Sequence, residues 1–208
     1  MSHVEGTSFA NIHREFGDLD RDRMIEDLAR LVQEVIRVAP IELNRSFGDW
    51  RKFAGTRLRD LSFHKEKGVS DYWVDQISSL LNEVGPAILA LDDYRIIHAD
   101  LNHEHILFQK STCWCMSGLI DFADGMLAPK EIELILPFLV FFRADKARQK
   151  RLLSEIGFGT KSYAVPFSHL MMGLTLCNRF LHFEEWFSRE IKREGLKDIR
   201  EIAEKVFA

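Results

Sequence analysis

Between Tyr94 and Asp121 the sequence changes period. Upstream, apolar residues recur at helical spacing; here they contract into three short β-prone runs, Arg95-Ile96-Ile97-His98, Ile106-Leu107-Phe108 and residues 113–120. Helical texture returns from about residue 130. So little strand between so much helical periodicity cannot build a large sheet. The pattern predicts helices, a small β patch, then more helices.

The first helix reads from Asp20, a candidate N-cap, through Met24, Leu28, Leu31 and Val35 to Val38, where Ala39-Pro40 ends it. Residues 43–63 give a second helical pattern through Phe47, Trp50, Phe53, Leu58 and Leu61. Ser70-Asp71 opens a third, carrying Trp73, Ile77, Leu80 and Leu81 and continuing to Leu91 with a break or kink at Gly85-Pro86. Segments 145–156, 165–187 and 196–207 read as helices, and 1–19 as irregular.

Composition removes several classes. The longest apolar run, Ile132–Phe142, is interrupted by Glu133 and Pro137 and falls short of a membrane span. The N-terminus lacks the basic-then-apolar pattern of a secretory signal. Three cysteines make no disulfide framework, which points to a reducing cytoplasm. With 28 basic against 32 acidic residues there is no electrostatic case for nucleic acid. No repeat or Pro/Gly/Ser-rich linker divides the 208 residues, so they read as one unit, and 16 Phe predict an aromatic-rich core.

The β patch carries a dense set of ligand-type side chains. His98-Ala-Asp100-Leu-Asn102-His103-Glu104-His105 precedes one apolar run, and Asp121, Phe122 and Asp124 follow another. Charged groups at the ends of short strands are held by rigid backbone and aimed at a common edge. Several chemistries use such groups. His98 and Asp100 with His169 or His182 would form a 2-His-1-carboxylate iron site, although that chemistry favours β-barrels. His103 and His105 with Cys113 or Cys115 would form a zinc site, but a second cysteine pair is missing. Cys177 lies in an apolar helix without the cation a thiolate nucleophile needs. Leu170–Phe187 reads as a core helix, or as part of an acceptor wall near Trp186. Arg143–Arg151 reads as a solvated helix face, and Glu184 and Glu185 as a pair that attracts a cationic acceptor.

His98-x-Asp100-x4-His105-Ile-Leu, followed by Gly118-Leu-Ile-Asp121-Phe122, resembles the catalytic core of the aminoglycoside phosphotransferase family, a branch of the protein-kinase-like fold. The family pattern is His-Gly-Asp-x4-Asn-hydrophobic-Leu, then hydrophobic-Ile-Asp-Phe/Trp. Asp100 lies 5 residues before His105 and 21 before Asp121, as that pattern requires. Glu133 sits where the family often has an acidic residue on the following helix. Val4–Phe9 resembles the linker between the family's two lobes.

The resemblance implies an α+β, mostly α fold: a kinase-like helical C-lobe with a small β-hairpin patch. Residues 1–19 would be linker-like, 20–92 helical, 93–125 the catalytic and metal-binding loops, and 126–208 helical. An N-terminal nucleotide lobe is expected to be absent, because neither a glycine-rich strand–turn–strand nor a Val-Ala-x-Lys strand precedes residue 20. The implied activity moves the terminal phosphate of ATP or GTP to a small-molecule hydroxyl. Asp100 would be the base, Asp121 and His105 the metal positions, and His98 and Asp124 supporting residues. His105 replaces the family's Asn, so Mn²⁺ joins Mg²⁺ as a candidate cation. A partner chain carrying the missing lobe, or a homodimer, would complete such a unit. The alternative is a non-catalytic lobe acting as a binding module.

Overall fold

The computed structural model describes residues 4–37, 50–158, 162–177 and 182–208. The chain begins with β1 (Thr7–Ser8), α1 (Phe9–Ile12) and a 3₁₀ turn over His13–Glu15, where the sequence predicts irregular chain. The helices α2 (Asp18–Arg37), α3 (Trp50–Arg59), α4 (Ser62–Glu66) and α5 (Asp71–Leu89) follow. The expected stop at Ala39-Pro40 and the stretch 43–49 with Phe47 lie outside the described residues. Next come β2 (Tyr94–Ile97), β3 (Ile106–Lys110), β4 (Trp114–Leu119) and β5 (Met126–Pro129). A 3₁₀ turn (Lys130–Leu134) and a π turn (Pro137–Phe141) lead to α6 (Lys146–Glu155), α7 (Phe167–Cys177), α8 (Phe183–Trp186) and α9 (Ile199–Val206).

The β patch is two ladders. β1, β3 and β4 form a three-stranded antiparallel sheet with β3 central, and β2 pairs antiparallel with β5. The β3–β4 hairpin matches expectation. Pairing of β2 with Met126–Pro129 was not legible, because Met-Leu-Ala-Pro has neither alternation nor branched side chains.

Helix α2 covers the edge of β4. An edge strand presents unpaired N–H groups, and buried ones must find acceptors. Asp20 accepts from Trp114 N at 3.1 Å and Asp27, buried, from Met116 N at 3.1 Å. Asp20 is thus not the N-cap. It sits in the first turn and also accepts from Gly17 N at 3.0 Å, the return half of a capping box. Phenylalanines fill the space beneath, with Phe16 edge-on to Phe9 and Phe108 at 4.9 and 5.2 Å and stacked on Trp114 at 5.9 Å.

The basic run Arg143–Arg151 departs from expectation. It forms an ion-pair network rather than a solvated face. Arg143 forks onto Glu190, which is 1% exposed, with contacts of 3.1 and 2.7 Å. Arg148 reaches Asp18, Asp22 and Asp145, tying α6 to the start of α2. No helix among the described residues is long and apolar enough to cross a membrane.

Helix α7 is the central post, buried from Ser168 to Cys177. It approaches α5 closely at Gly173, where an added Cβ would fall on Val84 Cγ2 and 3.0 Å from Ile88 Cδ1. Pro86 lies inside α5 without ending it, three residues before the helix terminates. Although Ala is the better helix former, Gly173→Ala is expected to destabilise the chain by about 1–3 kcal/mol through overpacking. Urea denaturation checks this; an unchanged or raised midpoint would contradict the close contact.

Candidate active site

Two loops join the ladders. Residues 98–105 leave the C-terminal end of β2 and enter the N-terminal end of β3; residues 120–125 leave the C-terminal end of β4 and enter the N-terminal end of β5. Ile97 pairs with Met126, and Ile106 with Leu119, so all four strand ends lie on one side. Asp100 and Asp121 meet there for that reason. Ile120 N extends the β3–β4 ladder by donating to His105 O at 3.1 Å.

His105 stands between the two carboxylates. Its Nδ1 is 3.2 Å from Asp100 Oδ2 and its Nε2 is 3.8 Å from Asp121 Oδ2. Nδ1 also lies 3.0 Å from the Asp100 carbonyl oxygen. Two acceptors at 3.0 and 3.2 Å outweigh the single amide donor, Asn102 Nδ2 at 3.3 Å, and assign the proton to Nδ1, which leaves the Nε2 lone pair on the Asp121 side. Asn102 Nδ2 donates to Asp100 Oδ1 at 2.9 Å, so both carboxylate oxygens are oriented. Asp121 is more exposed, with Ala123 N donating to its Oδ1 at 3.3 Å.

His98 is fully buried and both ring nitrogens are engaged: Nε2 donates to Ile120 O at 2.9 Å and Nδ1 accepts from Asp100 N at 3.3 Å. It links the two loops and has no nitrogen left for a metal. Burial holds its pKa below the usual histidine value. The other expected iron ligands are committed elsewhere. His169 lies between Glu83 at 3.1 Å and Glu204 at 3.4 Å, and His182 Nε2 donates to Lys67 O at 2.6 Å.

The cysteines also have other settings. Cys113 and Cys115 lie Sγ to Sγ at 3.5 Å, and burial pushes the Cys177 thiol up to about 12. Among the described residues no group of three or more His, Cys, Asp or Glu could hold a metal ion. Asp121 and His105 Nε2 make a two-donor position. That fits a cation whose remaining positions are filled by phosphate oxygens and water, with the nitrogen favouring Mn²⁺ over Mg²⁺.

Glu133 has a specific task in this arrangement. It is 2% exposed, and its two oxygens accept from His98 N at 3.1 Å and Ala99 N at 3.0 Å. The carboxyl clamps the turn that opens the Asp100 loop. Ala99 there adopts φ 66°, and Asp121 adopts φ 63°. Left-handed backbone is strained for alanine, and the family pattern has glycine at this position.

Asp100 also opens onto a cavity of about 450 Å³ whose lining includes Trp50, Phe53, Leu174, Trp186 and Asp124. Glu184 is not part of this wall. It accepts from Ser70 N at 3.2 Å and Ser70 Oγ at 2.6 Å, at the head of α5.

Two outcomes are expected from the clamp. Burial raises the Glu133 carboxyl from 4.5 to about 7 against the opposing pull of its two N–H donors. The folded chain therefore holds this proton more tightly than the unfolded chain. Its contribution to stability is full below about pH 4.5 and is lost as pH rises through about 7. The stability difference between wild type and Glu133→Gln should shrink by roughly 3 kcal/mol from pH 4.5 to pH 8. Urea unfolding at both pH values reads this, and a constant difference would contradict it. Ala99→Gly should raise stability by roughly 0.5 kcal/mol, whereas Ala54→Gly within α3 should lower it by about 1 kcal/mol or more. Paired denaturation midpoints decide the sign.

Comparison with solved structures finds the same architecture. The GDP complex of wild-type aminoglycoside 2′-phosphotransferase-IIIa aligns at TM-score 0.62 and 17% identity, covering 97% of this chain and 67% of that one. Macrolide 2′-phosphotransferase type I aligns at TM-score 0.58 and 14% identity, covering 91% and 60%. The streptomycin-ATP-APH(2″)-IIa ternary complex aligns at TM-score 0.53 and 14% identity, covering 100% and 70%. The chain thus spans about two thirds of the length of these relatives. Comparison with curated protein sequences returned no significant match. The family model of the phosphotransferase enzymes matches residues 1–157, which contain both loops and the Glu133 clamp, and the chain belongs to that family.

Proposed function

We propose that this chain carries the acceptor and metal side of an ATP- or GTP-dependent phosphotransferase acting on a small-molecule hydroxyl. One observation supports it above the rest: Asp100 and Asp121 lie on opposite sides of the His105 ring, at 3.2 and 3.8 Å from its two nitrogens. Asp100, oriented by Asn102 and His105, faces the cavity where an alcohol can approach. Asp121 and His105, which are not among the residues lining that cavity, would hold a phosphate-bound cation. Such a cation would supply charge neutralisation for the terminal phosphate oxygens.

In the transfer, the alcohol oxygen bonds to the terminal phosphorus while the bond from that phosphorus to the bridging oxygen breaks. A nucleoside diphosphate leaves, and the hydroxyl proton passes to Asp100. A carboxylate suits this task, because positioning contributes most and the proton moves late. His98 and Glu133 act through the loop backbone and are positioning residues. Asp124, on the second loop, lines the same cavity as Asp100 and would support the acceptor from there.

Calorimetry with ATP and GTP, each with Mg²⁺ or Mn²⁺, tests the donor side. Binding should require the cation and fall sharply in Asp121→Asn. Asp100→Asn should leave nucleotide affinity within about twofold and lower transfer about 10²- to 10⁴-fold. His105→Asn should shift the cation preference from Mn²⁺ toward Mg²⁺. Absence of nucleotide binding with either cation would overturn the proposal in favour of a non-catalytic binding lobe.

A further inference from the structure

The cavity beside Asp100 has a chemistry of its own. Much of its lining is apolar: Trp50, Phe53, Ile135, Val140, Leu174 and Trp186 supply walls of aromatic and aliphatic carbon. Its polar groups gather at the loop end, where Asp100, Glu104 and Asp124 are acidic and Asn102 and His103 are neutral or weakly basic. Neither Lys nor Arg lines it among the described residues. About 450 Å³ is the size of a small-molecule site.

Each feature narrows the acceptor. Three carboxylates, with no cation beside them among the described residues, repel anionic alcohols such as sugar phosphates. The carbon walls offer few hydrogen-bond partners, so an aminosugar bearing polar groups on every side would lose its water without replacement. The same walls reward an apolar body, and the aromatic rings add attraction for an ammonium. We infer that the acceptor is an amphiphilic amino alcohol: a hydroxyl with a nearby ammonium at the Asp100–Asp124 end, on an apolar aromatic or aliphatic body filling the cavity. The fate of its hydroxyl rests on the phosphotransferase reading; its fit to the cavity does not.

Propranolol is a suitable probe, since it joins a secondary alcohol and an ammonium to a naphthyl ring. Kanamycin represents the polar polycation and glucose 6-phosphate the anionic alcohol. Titration of the full chain, followed by tryptophan emission and by calorimetry, should rank propranolol at least about tenfold tighter than either. Phe53→Ala, at a 37% exposed side chain, should weaken propranolol about fivefold, and Val140→Asn, at a second lining residue, should do the same. The double variant Glu104→Gln, Asp124→Asn should weaken it and flatten its salt dependence. Tighter binding of kanamycin or glucose 6-phosphate overturns the inference, as does propranolol affinity unmoved by both wall variants. Parallel nucleotide titration separates the two readings. Nucleotide binding with kanamycin preferred defeats the acceptor class alone; propranolol binding without nucleotide binding defeats the phosphotransferase reading and leaves the cavity assignment standing.

Discussion

Two short antiparallel pairings govern the site. Ile97 against Met126 and Ile106 against Leu119 bring four strand ends to one side, and the two loops that hold Asp100 and Asp121 both span from one ladder to the other. Without the β2–β5 pairing, the 21 residues separating Asp100 from Asp121 would leave their distance undetermined. With it, one imidazole ring bridges the gap. The helices serve this arrangement: α2 satisfies the β4 edge through Asp20 and Asp27, and α7, packed against α5, brings Leu174 and Cys177 to the cavity lining.

The loops are held under tension rather than at rest. Ala99 and Asp121 both adopt left-handed backbone, and a buried carboxyl whose pKa is raised to about 7 supports the first of them. Strain of this kind persists only where surrounding contacts over-determine the geometry. Glu133 provides two of those contacts and His98 two more, all to backbone atoms of the two loops. Asp100 and His105 are thereby placed by neighbours that act through backbone hydrogen bonds.

Much of this was legible from residue order. The helical periods of Met24–Val35 and Trp73–Leu81, the β3–β4 hairpin and the aromatic core all follow from spacing and composition. The His98–His105 and Asp121 motifs marked the loops because their spacing matches a known family pattern. Asp20 was misplaced by three positions in the helix because capping residues and first-turn acids draw on the same residue types. Glu133 carried only a position in the sequence. That its oxygens accept from His98 and Ala99 depends on a pairing 30 and more residues away. The Arg143–Arg151 run read as solvated because nothing local announces Glu190 or the α2 acids as partners.

The sequence by itself determined most of the element types, the mostly helical class and the two motifs that mark the candidate site, since periodicity and motif spacing are local properties. Only the tertiary structure decided that β2 pairs with β5, that His105 sits between two carboxylates, and that a largely apolar cavity opens beside Asp100. Those facts depend on contacts between residues far apart in the chain. Such contacts are set by complementary burial and backbone hydrogen bonding, which short-range pattern does not encode.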